Sequence, residues 1–284
     1  MNRQKITVVT DSTAYIPEEA LDGLNIPVIP LWLIWGDERF RDGVDIDPSA
    51  FYRRLQESRT FPTTSQPSAG EFEDFFRQAG SEVDAVVGIF ISSKLSGTIP
   101  NAQAAQERLP ELTIRIVDSL STSMGLGFIV LAAARAAAEG KSLDEVVAVA
   151  EDVRDRVHVL FTVDTLEYLH RGGRIGGAKR LLGTALNIKP LLYLEGGGIE
   201  PLGQVRTKRK AVARMLEFAE EQAGGKQVIE ASALYIGNSD EGDAVAGQIK
   251  ERFGLSTVYR TTVSPVIGTH VGPGTVGLAF CTNP

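Results

Sequence analysis

Three apolar runs in the first half of the chain each end in a loop rich in hydroxyl groups, and a helical pattern follows each loop. The runs are Ile6–Val9, Ala85–Phe90 and Thr113–Val117, and the loops are 10–13, 91–98 and 118–123. Short apolar runs between polar loops are typical of buried strands, and strands that alternate with helices indicate a parallel sheet. We therefore expect all three loops to meet at the carboxyl edge of one sheet, where such sheets bind ligands.

The middle loop has the residue types of an anion site. It precedes a helical pattern that starts near Asn101, and the first N–H groups of a helix lack partners and attract anions. Ser96 and Thr98 add hydroxyl donors, and Gly97 allows a ligand to approach the backbone. The same residues would also be expected if Ser96 or Thr98 only capped the helix. The sequence of this loop leaves both interpretations open. The presence of three such loops favours ligand binding, because helix capping explains one hydroxyl-rich loop more easily than three.

The pattern changes after Arg156. A strong strand, Val157–Val163, is followed by a glycine-rich stretch and by a hairpin around Gly196–Gly198. Further elements are predicted at Lys208–Gln222, Glu230–Ile236, Asp240–Phe253, Thr257–Val263 and Val276–Thr282. We predict an α/β protein of two domains: a parallel-sheet domain at residues 1–155, and a domain at residues 156–284 with a mixed sheet and helices on one face.

Composition weighs against several classes of protein. No apolar run reaches the roughly 18 residues of a membrane span, and Met1–Lys5 runs directly into a strand without room for a signal peptide. Cys281 is the only cysteine, which excludes an internal disulfide and a thiolate metal cluster. These features predict a cytoplasmic protein. The net charge of −7 argues against general nucleic-acid binding.

Motifs for common catalytic sites are incomplete. Gly140-Lys141-Ser142 is not a P-loop, because Arg135 stands where the first glycine belongs. Gly172–Gly176 does not fit the dinucleotide fingerprint, and no serine lies in a G-x-S-x-G elbow. The three histidines are scattered rather than spaced as metal ligands. We therefore expect no metal, no cofactor and no hydrolytic mechanism.

Positive charge is concentrated in one stretch. Ten lysines and arginines lie between residues 171 and 214, where only Glu195 and Glu200 oppose them. Lys208, Arg209 and Lys210 open a predicted helix, where cations oppose the helix dipole. The stretch is either a solvated basic face or a docking surface for an acidic or phosphorylated partner.

Six motifs follow one another in an order that resembles the DegV family of bacterial fatty-acid-binding proteins, which includes the FakB subunits of fatty acid kinase. They are Thr10–Ala14, Thr64–Ser68, Ser93–Thr98, Asp118–Gly125, the stretch from Leu166 through Arg171–Gly176 to Lys189-Pro190, and Gly268–Gly274. The similarity extends from about residue 6 to residue 280. It implies two α/β domains with a long-chain fatty acid in a tunnel between them.

The resemblance also implies roles for individual residues. The acyl carboxylate would meet Thr64, Ser65 and Ser96, with Gly97 beside them. The family histidine before Gly-Pro-Gly corresponds to His270, and an arginine after the hairpin corresponds to Arg206. A FakB-like protein is not catalytic alone: it presents the carboxylate to a separate ATP-binding kinase subunit, which makes an acyl-phosphate. Arg206 would then lie near the transferred phosphoryl group, and the other interpretation of His270 is a loop histidine satisfied by local contacts.

Physical chemistry supports a hydroxyl-lined head-group site. Burial of the acyl tail brings the carboxylate into a medium of low dielectric constant, where its charged form needs hydrogen bonds. Neutral donors leave a carboxylate oxygen free to act as a nucleophile, whereas a bidentate arginine would occupy both oxygens. Two other hypotheses remain: a free-standing enzyme on a small carboxylated or phosphorylated metabolite, and a regulatory interaction protein whose lipid is structural.

Overall fold

The computed structural model describes residues 4–58, 60–183 and 188–284. Its strands are β1 Ile6–Asp11, β2 Val28–Ile29, β3 Trp32–Trp35, β4 Glu38–Arg41, β5 Thr63–Ser65, β6 Ala85–Phe90, β7 Ile114–Asp118, β8 Val157–Thr162, β9 Lys189–Glu195, β10 Gly198–Val205, β11 Val228–Tyr235, β12 Tyr259–Thr262 and β13 Val276–Thr282. Its α-helices are α1 Glu18–Leu21, α2 Pro48–Glu57, α3 Ala69–Gly80, α4 Thr98–Glu107, α5 Ser123–Ala138, α6 Leu143–Arg154, α7 Glu167–Arg171, α8 Lys208–Ala223, α9 Ser239–Phe253 and α10 Pro265–Val271. A 3₁₀ helix spans Gly176–Leu181.

The first sheet has the strand order β2-β1-β6-β7, and every neighbouring pair is parallel. Strand β6 is buried along its whole length, as its unbroken apolar sequence predicts. The carboxyl ends of β1, β6 and β7 are neighbours, which confirms that the three hydroxyl-rich loops lie along one edge of the sheet.

The second sheet has the order β10-β9-β8-β13-β11-β12 and is mixed, because only β11 and β12 pair in parallel. Helices α8 and α9 cover one face, where Leu160 and Leu278 pack with Met215 of α8. The next residues along β8, Val159 and Phe161, point to the other face and join the core that also contains α5. Alternate side chains of β8 therefore pack into two different cores, one beneath α8 and α9 and one that contains α5.

A third, antiparallel sheet with the order β4-β3-β5 was not predicted. The largely apolar sequence from Val28 to Ile34 does not form one continuous strand, since β2 ends at Ile29 and β3 begins at Trp32 in the third sheet. Pro30 lies in the break and lacks the N–H group that a continuous ladder would need.

Helices α2 and α10 were also missed. Asp47 caps α2 by accepting from Ala50 N at 2.9 Å, and a proline opens the helix. Ser264 caps α10 in the same way by accepting from Ile267 N at 3.3 Å. The hydroxyl of Tyr52 in α2 donates to Val263 O at 2.7 Å and so links α2 to the segment just before α10.

The two halves of the chain share a core. Val87 of β6, Met124 of α5 and Val159 of β8 belong to one buried apolar cluster. Every strand of the parallel sheet precedes residue 155, and every strand of the six-stranded sheet follows it; the exact domain boundary stays a prediction. Among the residues that the structure describes, no helix has both the length and the apolar character to cross a bilayer.

Candidate functional site

A cavity with mostly apolar walls lies between the parallel sheet and the six-stranded sheet. Its empty volume is about 840 Å³, counted together with the solvent at its opening. The wall includes Ile91 after β6, Phe161 of β8, Leu234 of β11, and Val266 and Ile267 of α10. Because both halves of the chain supply this wall, the cavity has the position that the tunnel hypothesis requires.

Polar side chains from distant parts of the sequence meet in this wall. Thr64 and Ser65 reach it from β5, Ser96 from the loop after β6, and His270 from the end of α10. The hydroxyl oxygen of Thr64 lies 2.8 Å from Nε2 of His270, although 206 residues separate the two in sequence. The structure thus brings together four of the six residues that the resemblance singles out.

The loop before α4 does not cap its own helix. Gly97 is the N-cap residue and no side chain makes a capping bond to a backbone N–H group of the first turn, so neither Ser96 nor Thr98 has the capping role that remained open. The Ser96 hydroxyl instead lies 2.8 Å from the Thr98 hydroxyl. Gly97 is not part of the cavity wall, but a Cβ there would come within 2.8 Å of Nε2 of Gln66, which lines the cavity.

His270 is held neutral at ordinary pH. Burial, aided by the nearby charge of Arg174, lowers the pKa of His270 to about 4. The ring therefore does not titrate in the usual histidine range. Its Nδ1 atom is buried without a hydrogen-bond partner in the described residues, so contacts within the protein satisfy only one of the two ring nitrogens.

Arg174 is a cavity residue that sequence reasoning assigned only to the basic stretch. Its Nε donates to Leu95 O at 3.0 Å and its Nη1 to Gly172 O at 2.7 Å. The wall of the cavity is therefore not wholly neutral. Two of the three guanidinium nitrogens are already engaged by backbone carbonyls, however, so Arg174 contributes charge rather than a free bidentate clamp. The Arg171–Gly176 motif was the signal that could have identified it.

Of the three hydroxyl-rich loops, only the second and third reach the cavity. The first loop instead supports the second. Asp11 accepts from Ile91 N at 2.7 Å through one oxygen and from the Thr13 hydroxyl at 2.6 Å through the other. Asp118 holds the same loop from its other side by accepting from Ser93 N at 3.2 Å. The carboxylates thus fix the backbone that presents Ser96.

A buried carboxyl group lies behind the cavity wall. Ser12 donates to Oδ2 of Asp42 at 2.8 Å, while Oδ1 has no partner of good geometry in the described residues. Ser264 and the backbone N–H of Val266, at the start of α10, lie close enough to favour the charged form. Burial outweighs them and raises the pKa of Asp42 to about 7.

Arg206 is exposed between β10 and α8 and does not line the cavity. Carboxylates from other parts of the chain neutralise several cations of the basic stretch. Lys189 pairs with Asp164 at 2.7 Å and Lys208 pairs with Glu241 at 2.9 Å. Over residues 4–58, 60–183 and 188–284, no carboxylate pairs with Arg206, Arg209 or Lys210. These three residues, called the free basic triplet below, remain as a possible docking surface.

Gly172 lies against the unpaired side of His270. A Cβ at this position would stand 2.1 Å from Nδ1 of the ring. Gly172→Ala is therefore expected to displace the ring and to lower the free energy of unfolding by about 1–3 kcal/mol, the usual cost of overpacking. Chemical denaturation measures the loss, and the ring resonances of His270 report the displacement. Gly247→Ala in α9, where nothing lies within 4 Å, is the control and should be neutral or stabilising. Equal stability of the two variants would contradict the close contact.

Among the described residues, no group of three histidine, cysteine, aspartate or glutamate side chains could hold a metal ion. The residues of the cavity offer hydroxyls, the amide of Gln66, one neutral imidazole and one guanidinium along an otherwise apolar wall. This arrangement suits a ligand with an apolar body and a small anionic group.

Comparison with known proteins gives a consistent result. Residues 5–283 match a family model described as "Uncharacterised protein, DegV family". A DegV domain-containing protein of Streptomyces coelicolor is 41% identical over 98% of this chain and 99% of its own. A solved DegV family protein of Thermus thermophilus, described for its fatty acid binding, has a TM-score of 0.92 and 38% identity over 98% of this chain and 100% of that one. The solved structure of DegV of Bacillus subtilis, described as a fatty acid binding protein, has a TM-score of 0.90 and 32% identity over 99% and 100%.

Proposed function

Because this chain belongs to the DegV family, we propose that it binds a long-chain fatty acid in the cavity between its two main sheets. The observation that carries the proposal is the Thr64–His270 pair, which shares an otherwise largely apolar cavity wall with Ser96. The carboxylate would accept hydrogen bonds from these groups, and the tail would lie along the apolar residues. The solved relatives that are described as fatty acid binding proteins support this assignment.

The energetics favour such a ligand. Each methylene buried from water contributes about 0.8 kcal/mol, and each hydrogen bond to a charged group contributes roughly 1.5–3 kcal/mol. The nearby guanidinium of Arg174 offsets part of the cost of placing a carboxylate in the cavity. A carboxylate near Nε2 of His270 would in turn favour the protonated ring, so the low pKa of His270 would rise when the ligand binds.

The direct test is organic extraction of the purified protein, followed by mass spectrometry of the lipid fraction. We expect a fatty acid of long chain length, and native mass spectra should show uptake of added palmitate or oleate. A protein that retains no lipid and takes up neither acid would refute the proposal. A small polar metabolite finds few partners along these apolar walls, so the cavity does not favour a free-standing enzyme on such a substrate.

We further propose that the chain presents the bound carboxylate to a separate ATP-binding kinase subunit. In that reaction a carboxylate oxygen attacks the γ-phosphorus of ATP, the acyl-phosphate forms and ADP leaves. The free basic triplet supports this role, since a guanidinium can bind phosphate oxygens and unpaired cations attract an acidic partner. The proposed location of this chain is the cytoplasm, where ATP and such a kinase would be available.

Arg206→Ala is expected to separate binding from phosphorylation. Because Arg206 is exposed and lies outside the cavity wall, palmitate affinity should stay within about twofold, while formation of acyl-phosphate by the reconstituted system should fall by about tenfold or more. Arg252→Ala, which removes a cation already paired with Glu220, is the matched control and should leave both quantities unchanged.

Charge reversal at Arg209 and Lys210 should mainly slow association with the kinase and reduce the salt dependence of that association. If Arg206→Ala instead empties the lipid site, the arginine belongs to the pocket. If neither set of changes affects binding or phosphorylation, the triplet is only a solvated face.

A further inference from the structure

Two adjacent hydroxyl groups line the cavity, and no hydrogen bond joins them to the Thr64–His270 pair. Thr122 and Ser123 both contribute to the wall and are 9% and 3% exposed. The hydroxyl oxygens of both are buried, and neither has a hydrogen-bond partner among the described residues. Most buried hydroxyls in proteins are paired, so two adjacent unpaired ones in a ligand cavity require a reason.

The backbone holds both hydroxyls at the first turn of α5. Thr122 is the N-cap residue of this 16-residue helix, but its side chain makes no capping bond. Ser123 has φ of +51° and Leu120 has φ of +49°, in the left-handed region that few side chains adopt. The loop is fastened from behind, where Ser92 N donates to Ser121 O at 2.9 Å and Leu120 N donates to Asp118 Oδ1 at 3.1 Å. The fixed loop therefore maintains the strained backbone that places these groups in the wall.

The chemistry of the pair differs from that of the head-group residues. No charged side chain is bonded to either hydroxyl, and each can donate one hydrogen bond and accept others. The adjacent helix N-terminus favours an oxygen acceptor. A plain hydrocarbon tail offers neither a donor nor an acceptor, and a buried hydroxyl without a partner costs about 1–3 kcal/mol.

We propose that Thr122 and Ser123 bind an oxygen substituent on the acyl chain, so that the preferred ligands of this cavity include hydroxy fatty acids. The inference rests on the proposed function, because it names the substrate class of the same cavity. A ligand hydroxyl would donate to one side-chain oxygen and accept from the other.

The test compares stearate with a series of monohydroxystearates whose hydroxyl lies at successive positions along the chain. Binding of each acid is measured by calorimetry or by competition. At least one positional isomer should bind the wild-type protein about 2- to 12-fold more tightly than stearate, the effect of one net hydrogen bond. The double variant Thr122→Val/Ser123→Ala keeps both Cβ atoms but removes both hydroxyls, so it should lose this preference and bind every isomer no more tightly than it binds stearate.

Thr261→Val is the matched control, since its hydroxyl is buried but bonded to Ser232 at 3.0 Å and lies outside the cavity; it should keep the preference. Three results would overturn the inference: every isomer binds no better than stearate, the preference survives in the double variant, or that variant weakens stearate itself and so places the pair at the carboxylate. Failure to bind stearate and all its hydroxy derivatives would overturn the proposed function as well.

Discussion

Asp42→Asn is expected to raise the free energy of unfolding at about pH 8 by up to about 4 kcal/mol, because the folded protein then no longer buries a negative charge. The carboxyl group has an ordinary pKa of 3.8, and burial raises it to about 7 in the folded chain. Between these values the folded state holds a proton that the unfolded chain has already released. Each rise in pH through this window therefore favours the unfolded state, and asparagine removes the dependence while it keeps an oxygen to accept from Ser12.

Urea unfolding of the two proteins at several pH values between about 4 and 8 checks this expectation. The pKa of His270 is lowered to about 4, so between this value and its ordinary pKa of 6.5 the histidine makes the free energy of unfolding rise with pH. Because His270 is present in both proteins, this contribution cancels when their stabilities are compared. Asp74→Asn makes the same chemical change on an exposed side chain and should leave the pH dependence almost unchanged. Parallel stability curves for wild type and Asp42→Asn would show that the buried carboxyl has no such linkage.

Removal of the head-group hydroxyls is expected to have the largest effect on ligand affinity. Thr64→Val and Ser96→Ala each delete one donor and keep most of the side chain, so each should weaken palmitate binding by about 10- to 150-fold, or roughly 1.5–3 kcal/mol. The double variant should lose more than either single variant but less than the product of the two, because both donors act on one anion.

Ser68→Ala separates this effect from a loss of helix capping. Ser68 lies close to Thr64 in sequence, but its hydroxyl accepts from Glu71 N in the capping box of α3 and does not line the cavity. The change should lower stability by about 1 kcal/mol and leave palmitate affinity unchanged. If Thr64→Val and Ser96→Ala behave like Ser68→Ala, with reduced stability and full affinity, the two hydroxyls do not contact the ligand.

Local sequence patterns predicted the parts of the fold that are built from long, regular elements. The apolar run of β6 and the elements predicted at Lys208–Gln222 and Asp240–Phe253 each carry their signal in neighbouring residues, and the structure shows β6, α8 and α9 at these places. Helix α10 was missed because its own sequence carries no helical signal. Pro265–Val271 contains glycine, threonine and other β-branched residues, which form helices poorly without tertiary contacts. Its stability comes from the Ser264 cap and from tertiary contacts that no local pattern shows.

The residue types of the loop before α4 predicted an anion site at Ser96, but the meeting of this loop with Thr64 and His270 was predictable only through the family resemblance. The contact between Thr64 and His270 spans 206 residues, and no periodicity or spacing links positions so far apart. The resemblance supplied those positions but not the environment of each side chain. Burial lowers the pKa of His270, and Arg174, which belongs to the basic stretch in sequence, lines the cavity. Both depend on how the two sheets pack, which the sequence of either part does not specify alone.

The alternation along β8 has a consequence for evolution within the family. Val159 and Phe161 line the cavity, whereas Leu160 between them packs beneath α8 and α9. Because neighbouring positions on a strand point to opposite faces, selection on the ligand and selection on the fold act on different residues of the same strand. A substitution of Val159 or Phe161 can therefore change the shape of the cavity while it leaves the packing of Leu160 against the helices intact.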